Sequence, residues 1–343
     1  MWSTHRAARV IRKTVKIASK SRKADPVTAA SNNPTRPLNI AHRGGADLWP
    51  ENTLAAFAEA IALGADGLEF DVQLSADNVL IIHHDARLKP DATRRDGRFL
   101  TKPTPRLDAL GFDELAQYDV GTLDPDSAYG RRRAARTNLD AVRIPSLAAL
   151  QTLVAETAPP GFRLYCELKT DMGEAPDQAL RLADAYLDFL ETSARAAQHH
   201  VISFDWRCLS RVRAARPDMA HAYTTLSFSQ TDPQHVSAAS DSAIGAAIRA
   251  ASAEGAPWFD GFDWRDMAGD THGARVLNAI AAAQGRGWFA ELGDVNDETM
   301  TVAQELGLAV GVWTVNQPAG MRHCAARGVE AIITDRPDVL KKL

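Results

Sequence analysis

From Leu38 onward, short apolar runs alternate with stretches in which apolar residues recur at helical spacing. The apolar runs predict strands at 38–42, 66–72, 79–83, 163–168, 199–203, 219–224, 258–263, 287–290, 309–314 and 330–334. The helical spacing predicts helices at 52–63, 146–156, 174–195, 207–215, 240–253, 274–284, 297–306 and 318–327. Pro145-Ser146 marks a helix start, and Gly64, Gly307 and Gly328 mark helix stops. Strand–helix alternation sustained over this length predicts an α/β domain. The segment at about 89–145 breaks the rhythm: it is rich in Pro, Asp and Arg, and only 112–117 reads as helical. Taken as an insertion after the third strand, it leaves a remainder of roughly 250 residues, the size of a (β/α)8 TIM barrel. The strand candidates outnumber the eight a barrel uses, so at least two are surplus. The weakest are 258–263, 287–290 and the hairpin-like 79–83. No internal repeat is evident.

The chain has 343 residues, 45% hydrophobic and 24% charged, which suits a folded domain and argues against disorder, collagen or coiled coil. No apolar run is long enough for a transmembrane helix. Cys166, Cys208 and Cys324 are too widely spaced for a disulfide framework or a zinc site and suit a reducing compartment. With no secretory signal at the N-terminus, a cytoplasmic location is expected. The net charge of -4 hides an asymmetry: residues 1–36 carry nine Lys/Arg and one acid, Asp25. The expected organisation is therefore a basic arm over 1–36 and a barrel domain over 37–343. The arm permits three readings: a solvated tail, a loose contact with an anionic membrane surface, or an organelle transit peptide. The acidic remainder argues against nucleic acid as a partner.

The candidate chemistry lies at strand ends. In Asp66-Gly67-Leu68-Glu69-Phe70-Asp71-Val72, alternation puts Leu68, Phe70 and Val72 on one face and Glu69 and Asp71 on the other. In a barrel, the acids would point inward. Two such charges about 5 Å apart repel by roughly 3 kcal/mol at an effective dielectric near 20, and a divalent metal is the simple remedy. Leu164-Tyr165-Cys166-Glu167-Leu168-Lys169 repeats the pattern, with Glu167 and Lys169 on one face. Three carboxylates make a hard oxygen site suited to Mg²⁺ or Ca²⁺; structural ion pairs with Lys169 or surface bases are the alternative. His42 and His84 each end an apolar run, and a pair of imidazoles beside such a cluster can serve as general acid and general base. Arg43 offers a forked donor to phosphate, and Gly44-Gly45 allow close backbone approach. His83 should face the opposite side as a structural histidine, and Asp85 either orients His84 or caps a turn. Asn52 reads as a helix N-cap, with Glu51 just outside it. Trp313 is either a substrate wall or a core residue. Thr334 and Asp335 read as turn and cap residues.

The ordered set Ala41-His42-Arg43-Gly44, Pro50-Glu51-Asn52-Thr53, Gly67-Leu68-Glu69-Phe70-Asp71-Val72, His84-Asp85, Glu167-Leu168-Lys169, Trp313-Thr314-Val315-Asn316 and Ile333-Thr334-Asp335-Arg336-Pro337 resembles the glycerophosphodiester phosphodiesterase family. The resemblance spans 38–340. It implies a TIM barrel with a small insertion after the His-Asp motif. It further implies one divalent cation, Mg²⁺ or Ca²⁺, on Glu69, Asp71 and Glu167, with His42 and His84 as the acid/base pair. Arg43 and Lys169 would contact phosphate, with Glu51 and Asn52 near metal and substrate. The chain departs from the family after His84-Asp85, where Ala86-Arg87-Leu88-Lys89-Pro90 replaces the usual Leu followed by Arg and Thr, and its insertion is Arg-rich.

The expected activity is metal-dependent hydrolysis of small glycerophosphodiesters to sn-glycerol 3-phosphate and an alcohol. Two rivals are carried forward. A lysophospholipase D-type enzyme would use an apolar channel beside Trp313, Trp258, Phe259 and Trp264, with the arm at a membrane. A non-catalytic phosphate-ligand binder would use the barrel without turnover.

Overall fold

The computed structural model describes residues 36–173, 176–234 and 243–343. The readings of the basic arm fall on residues outside these, apart from Arg36, which pairs with Asp66 at 2.7 Å. Among the described residues, no helix is long and apolar enough to cross a membrane.

A cylinder of parallel strands forms the centre. It runs β1 (Leu38–His42), β2 (Gly67–Leu74), β6 (Arg163–Leu168), β7 (His199–Ser203), β8 (Ala220–Thr224), β9 (Gly287–Glu291), β10 (Ala309–Trp313) and β11 (Ala331–Thr334). Each pairs with the next, and β1 pairs with both β2 and β11, which closes the barrel. The helices that follow the strands are α1 (Leu54–Leu63), α4 (Leu147–Thr157), α5 (Pro176–Thr192), α6 (Trp206–Ala215), α7 (Phe228–Thr231), α8 (Ala243–Ala253), α9 (His272–Ala282), α10 (Asp297–Glu305), α11 (Pro318–Ala326) and α12 (Pro337–Leu340). The expected (β/α)8 architecture is thus present.

Alternation along the strands sorts the side chains as the barrel requires. Leu68, Phe70 and Val72 of β2, and Leu164, Cys166 and Leu168 of β6, join the core between strands and helices. The opposite faces fill the cylinder: Ile40, Tyr165, Ile202, Phe289 and Ile333 form a separate inner cluster. This layer closes the lumen one residue pair below His42, Glu167 and Asp335.

Strand β3 (Leu80–Ile82) runs antiparallel to β2 at its outer end and is not part of the cylinder. The segment 89–145 that follows contains the hairpin of β4 (Arg94–Arg95) and β5 (Arg98–Phe99), then α2 (Phe112–Leu115) and α3 (Ala128–Arg132). It has its own small core, in which Leu88, Leu107, Leu115, Tyr118 and Ile144 pack on Ile81 of β3.

Two strand expectations need correction. The run 258–263 is not a strand: Pro257–Phe259 forms a 3-10 turn, and Gly255 and Gly261 take positive φ of 102° and 82° on either side. Its apolar residues are buried, but the chain bends, and Phe259 stacks on Trp206 at 3.7 Å. Conversely, 287–290, suspected as surplus, is barrel strand β9. It gives no alternating signal because Trp288 and Ala290 meet the helices while Phe289 fills the lumen, so all three are buried.

Phe57 of α1 is fully buried and packs edge-on to Phe70 of β2 at 6.1 Å. Truncation leaves a cavity there, so Phe57→Ala is expected to lower stability by about 3–5 kcal/mol in urea unfolding. A loss under about 1 kcal/mol would contradict this packing.

Candidate functional site

The inward faces of β2 and β6 lie side by side, in a register that sets Asp71 opposite Glu167. Glu69, Asp71 and Glu167 are all buried, and each has an oxygen within 4.8 Å of the others'. Such charge density needs compensation. Asp71 receives most of it: Asn52 Nδ2 donates to Oδ2 at 2.7 Å, Arg43 Nε lies 3.1 Å from Oδ2, and Lys169 Nζ lies 3.2 Å from Oδ1. Lys169 Nζ also sits 2.6 Å from Glu167 Oε1. Burial pushes the Asp71 carboxyl up, but Lys169 and Arg43 outweigh it and hold the group well below the usual carboxylate range. Glu69 goes the other way. Burial first, then the charges of Asp71 and Glu167, push it well above the usual carboxylate range. Its polar contacts are the Arg43 backbone N–H at 3.1 Å and His42 Nε2 at 3.8 Å.

The ion pairs expected as the alternative to a metal are therefore present, but they are incomplete. No lysine or arginine side chain forms an ion pair with Glu69 among the described residues, and buried Asp71 Oδ1 has no hydrogen-bond donor in good geometry despite Lys169 nearby. A set of hard oxygen donors with one unsatisfied atom and one acid lacking a Lys or Arg partner fits an oxygen-seeking divalent cation.

The turn after β1 builds the neighbouring wall. Arg43, Gly44 and Gly45 have positive φ of 51°, 85° and 97°. A Cβ on Gly44 would stand 2.8 Å from Ala56 Cβ, so only glycine lets the turn press on α1. The turn directs the Arg43 guanidinium to Glu51 Oε1 at 2.8 Å as well as to Asp71. Arg43, read as a phosphate contact, is thus engaged by carboxylates here. Asn52 is not the helix cap; Thr53 caps α1 by accepting from the Ala56 N–H, while Asn52, at φ 57°, turns inward to Asp71.

His42 Nδ1 lies 2.6 Å from Asp335 Oδ1. Burial works against an imidazolium at this position, but Asp335 outweighs it and the His42 pKa is raised. Asp335, read as a turn residue, therefore belongs to the site, and Asn316 Nδ2 donates to its other oxygen at 2.7 Å. Thr334 keeps the capping role, accepting from the Arg336 N–H. His84 Nδ1 lies 3.1 Å from Asp85 Oδ1, one of the two expected uses of Asp85. His42 and His84 line one cavity of about 470 Å³, and His83, expected on the opposite side, lines it too.

Two residues of the inserted segment were not foreseen. Tyr129 donates to Glu51. Arg133 reaches Asp47 at 3.0 Å, Glu51 at 3.2 Å and Asp335 at 3.5 Å. Arg133 belongs to the Arg-rich stretch of the insertion, and no sequence signal marks Tyr129. Trp313 is half-buried: its Nε1 donates to the Phe289 carbonyl and its ring meets Phe204 edge-on at 5.3 Å, the same ring that faces Lys169 Nζ. Of the other aromatic residues suggested for an apolar channel, Phe259 and Trp264 lie in the outer core. Trp258 lines a second cavity of about 540 Å³, walled by Met172, Ala247, Ile248 and Pro257, that touches both His84 and Lys169.

Comparison with known proteins accords with this geometry. The profile of the glycerophosphoryl diester phosphodiesterase family matches residues 42–339. A glycerophosphodiester phosphodiesterase of Bacillus subtilis is 22% identical over 324 residues, covering 93% of this chain and 91% of its own. A Silicibacter pomeroyi structure assigned to the same class is similar with a TM-score of 0.74 and 29% identity, covering 90% of this chain and 93% of its own. An Oleispira antarctica phosphodiesterase, solved in complex with the product sn-glycerol-3-phosphate, shares the fold with a TM-score of 0.61 at 20% identity, covering 88% of this chain and 94% of its own.

Glu51 yields a pH prediction. Burial pushes its carboxyl up, but Arg43, Tyr129 and Arg133 hold it at about 2, against an ordinary 4.5. A depressed carboxyl adds stability above its unfolded pKa and loses it as pH falls toward the folded value. Glu51→Gln is expected to be less stable than wild type at neutral pH and to lose less stability between pH 4.5 and 2. Urea unfolding across that range checks it; an acid slope equal to that of wild type contradicts it.

Proposed function

This chain belongs to the glycerophosphoryl diester phosphodiesterase family and is a glycerophosphodiester phosphodiesterase, and on that footing we propose how its residues carry out the hydrolysis. The substrates are small glycerophosphodiesters such as glycerophosphocholine or glycerophosphoethanolamine, and the products are sn-glycerol 3-phosphate and an alcohol. The reading rests on one observation: three buried carboxylates within 4.8 Å beside an imidazole whose far nitrogen is held by a fourth, Asp335.

Glu69, Asp71 and Glu167 would hold the cation. Mg²⁺ or Ca²⁺ bound there would supply Lewis-acid polarisation of a phosphate oxygen. Arg43 and Lys169, now spent on the carboxylates, are then able to turn part of their hydrogen bonding to phosphate oxygens. Asn52 and Glu51 keep Asp71 and Arg43 in place. Asp335 fixes His42 through Nδ1, so that Nε2 carries the proton transfer; Asp85 does the same for His84. One imidazole takes a proton from the attacking hydroxyl or water, and the other gives one to the leaving alkoxide. Trp313 and Phe204 wall the site beside Lys169. Buried free thiols at Cys166, Cys208 and Cys324 support a cytoplasmic address.

A second reading, hydrolysis of lysophospholipids, is favoured by the apolar cavity of Met172, Ile248 and Trp258, which opens beside His84 and Lys169 and has room for an aliphatic chain.

His42→Ala and His84→Ala are each expected to cut turnover by roughly 10²–10⁴-fold with an unchanged circular dichroism spectrum; full activity in either removes that histidine from the mechanism. Exhaustive chelation should abolish glycerol 3-phosphate release and added Mg²⁺ or Ca²⁺ restore it, whereas activity that survives chelation removes the cation. Parallel assays on glycerophosphocholine and lysophosphatidylcholine decide between the two substrate readings.

A further inference from the structure

The 470 Å³ cavity shared by His42 and His84 has a second wall that the hydrolysis described above does not use. Arg132, Arg133 and Arg136 of the inserted segment all face it. Arg133 is fully engaged by Asp47, Glu51 and Asp335. Arg136 is different. It is only 5% exposed, and its Nη2 donates to the neutral Gly121 carbonyl and Asn138 Oδ1, at 3.2 and 3.1 Å. Its Nε is buried with no partner. No carboxylate forms an ion pair with it among the described residues. Burial lowers its pKa, although Glu51 and Tyr129 oppose that from a distance. Arg132, at the exposed mouth, likewise has no carboxylate partner there and lies over the Tyr129 ring at 5.8 Å.

The acids of the cavity do not make up the deficit. Glu51 and Asp335 are taken by Arg43, Arg133 and His42, and Asp85 by His84 and Lys89. Only Asp91 remains to set against two unpaired guanidinium groups. A buried guanidinium without a counter-charge is costly, and its forked donors match the oxygens of a phosphate or carboxylate.

We propose that the inserted segment forms an anion subsite, with Arg136 at its floor and Arg132 at its mouth, that binds a second negative group carried by the alcohol half of the substrate. This rests on the hydrolytic reading above and names the substrate class for it. An unsubstituted glycerol half offers only hydroxyls beyond the scissile phosphate, so an additional phosphate or carboxylate belongs to the alcohol. Among the glycerophosphodiesters that the hydrolytic reading covers, the enzyme therefore favours those whose alcohol ends in a phosphate or carboxylate, and turns over neutral or cationic ones such as glycerophosphocholine with lower kcat/KM.

The test compares kcat and KM on glycerophosphoglycerol, the same diester bearing a terminal phosphate, glycerophosphoserine and glycerophosphocholine. Wild type, Arg136→Gln, Arg136→Lys and Arg132→Gln are compared on each. Wild type is expected to prefer the terminally phosphorylated diester over glycerophosphoglycerol by roughly 10–100-fold in kcat/KM, mostly through KM. Arg136→Gln should bring that ratio close to one, Arg136→Lys should restore part of it, and Arg132→Gln should reduce it. Glycerophosphoserine distinguishes a carboxylate subsite from one that accepts phosphate only. No preference in wild type overturns the proposal. So does an equal loss on all four diesters in Arg136→Gln, which would place Arg136 on the shared phosphate or in the scaffold. Should Arg136→Gln fail to fold, the exposed Arg132→Gln decides by the same ratio. Absence of turnover on every diester in wild type would instead refute the hydrolytic reading.

Discussion

The organising constraint of this protein is the burial of Glu69, Asp71 and Glu167 within 4.8 Å at one end of the barrel. Each pair of such charges repels by a few kcal/mol even at a generous effective dielectric. Much of the surrounding structure can be read as the answer to that repulsion. The left-handed turn after β1 brings the Arg43 guanidinium to Asp71 and its N–H to Glu69. Asn52 adopts a positive φ and faces inward instead of capping its helix. Lys169 stands at the end of β6 between Asp71 and Glu167. The remaining imbalance, concentrated on Glu69, is what a bound divalent cation would relieve.

The inserted segment forms a second layer of the same answer. It is rooted on β3 by its own apolar cluster, and it extends Tyr129 and Arg133 over the mouth. Arg133 touches the partner of Arg43 and the partner of His42 together. The segment thereby couples the carboxylate side of the site to the imidazole side, so a loop outside the barrel helps set the geometry inside it.

The barrel, the inward acids and the strand-end histidines could be read from the chain because they follow from local rules. Alternation in 67–72 and 163–168 puts Leu, Phe and Cys outward and Glu and Asp inward whatever the tertiary context. What escaped depended on distant partners. Asp335 looks like any turn acid until the barrel closes and brings His42 to it. Arg133 and Tyr129 lie in a segment without periodicity, where no local rule says which arginine turns inward. Asn52 does not cap because its amide is turned to Asp71, donating through Nδ2 to the carboxylate and accepting through Oδ1 from the Asp71 N–H, which leaves the helix N–H to Thr53. The run 258–263 is apolar for core packing, and its flanking glycines at positive φ, not its hydrophobicity, decide that it bends.

The contact between His42 and Asp335 spans 293 residues, joining the first strand of the cylinder to the chain just after the last. During synthesis the imidazole emerges long before its carboxylate, and until β11 pairs with β1 and β10 the barrel has an open seam. Nascent and C-terminally truncated chains therefore lack an assembled centre. Assembly of the site is thus tied to closure of the barrel as a whole, not to the formation of any one strand–helix unit.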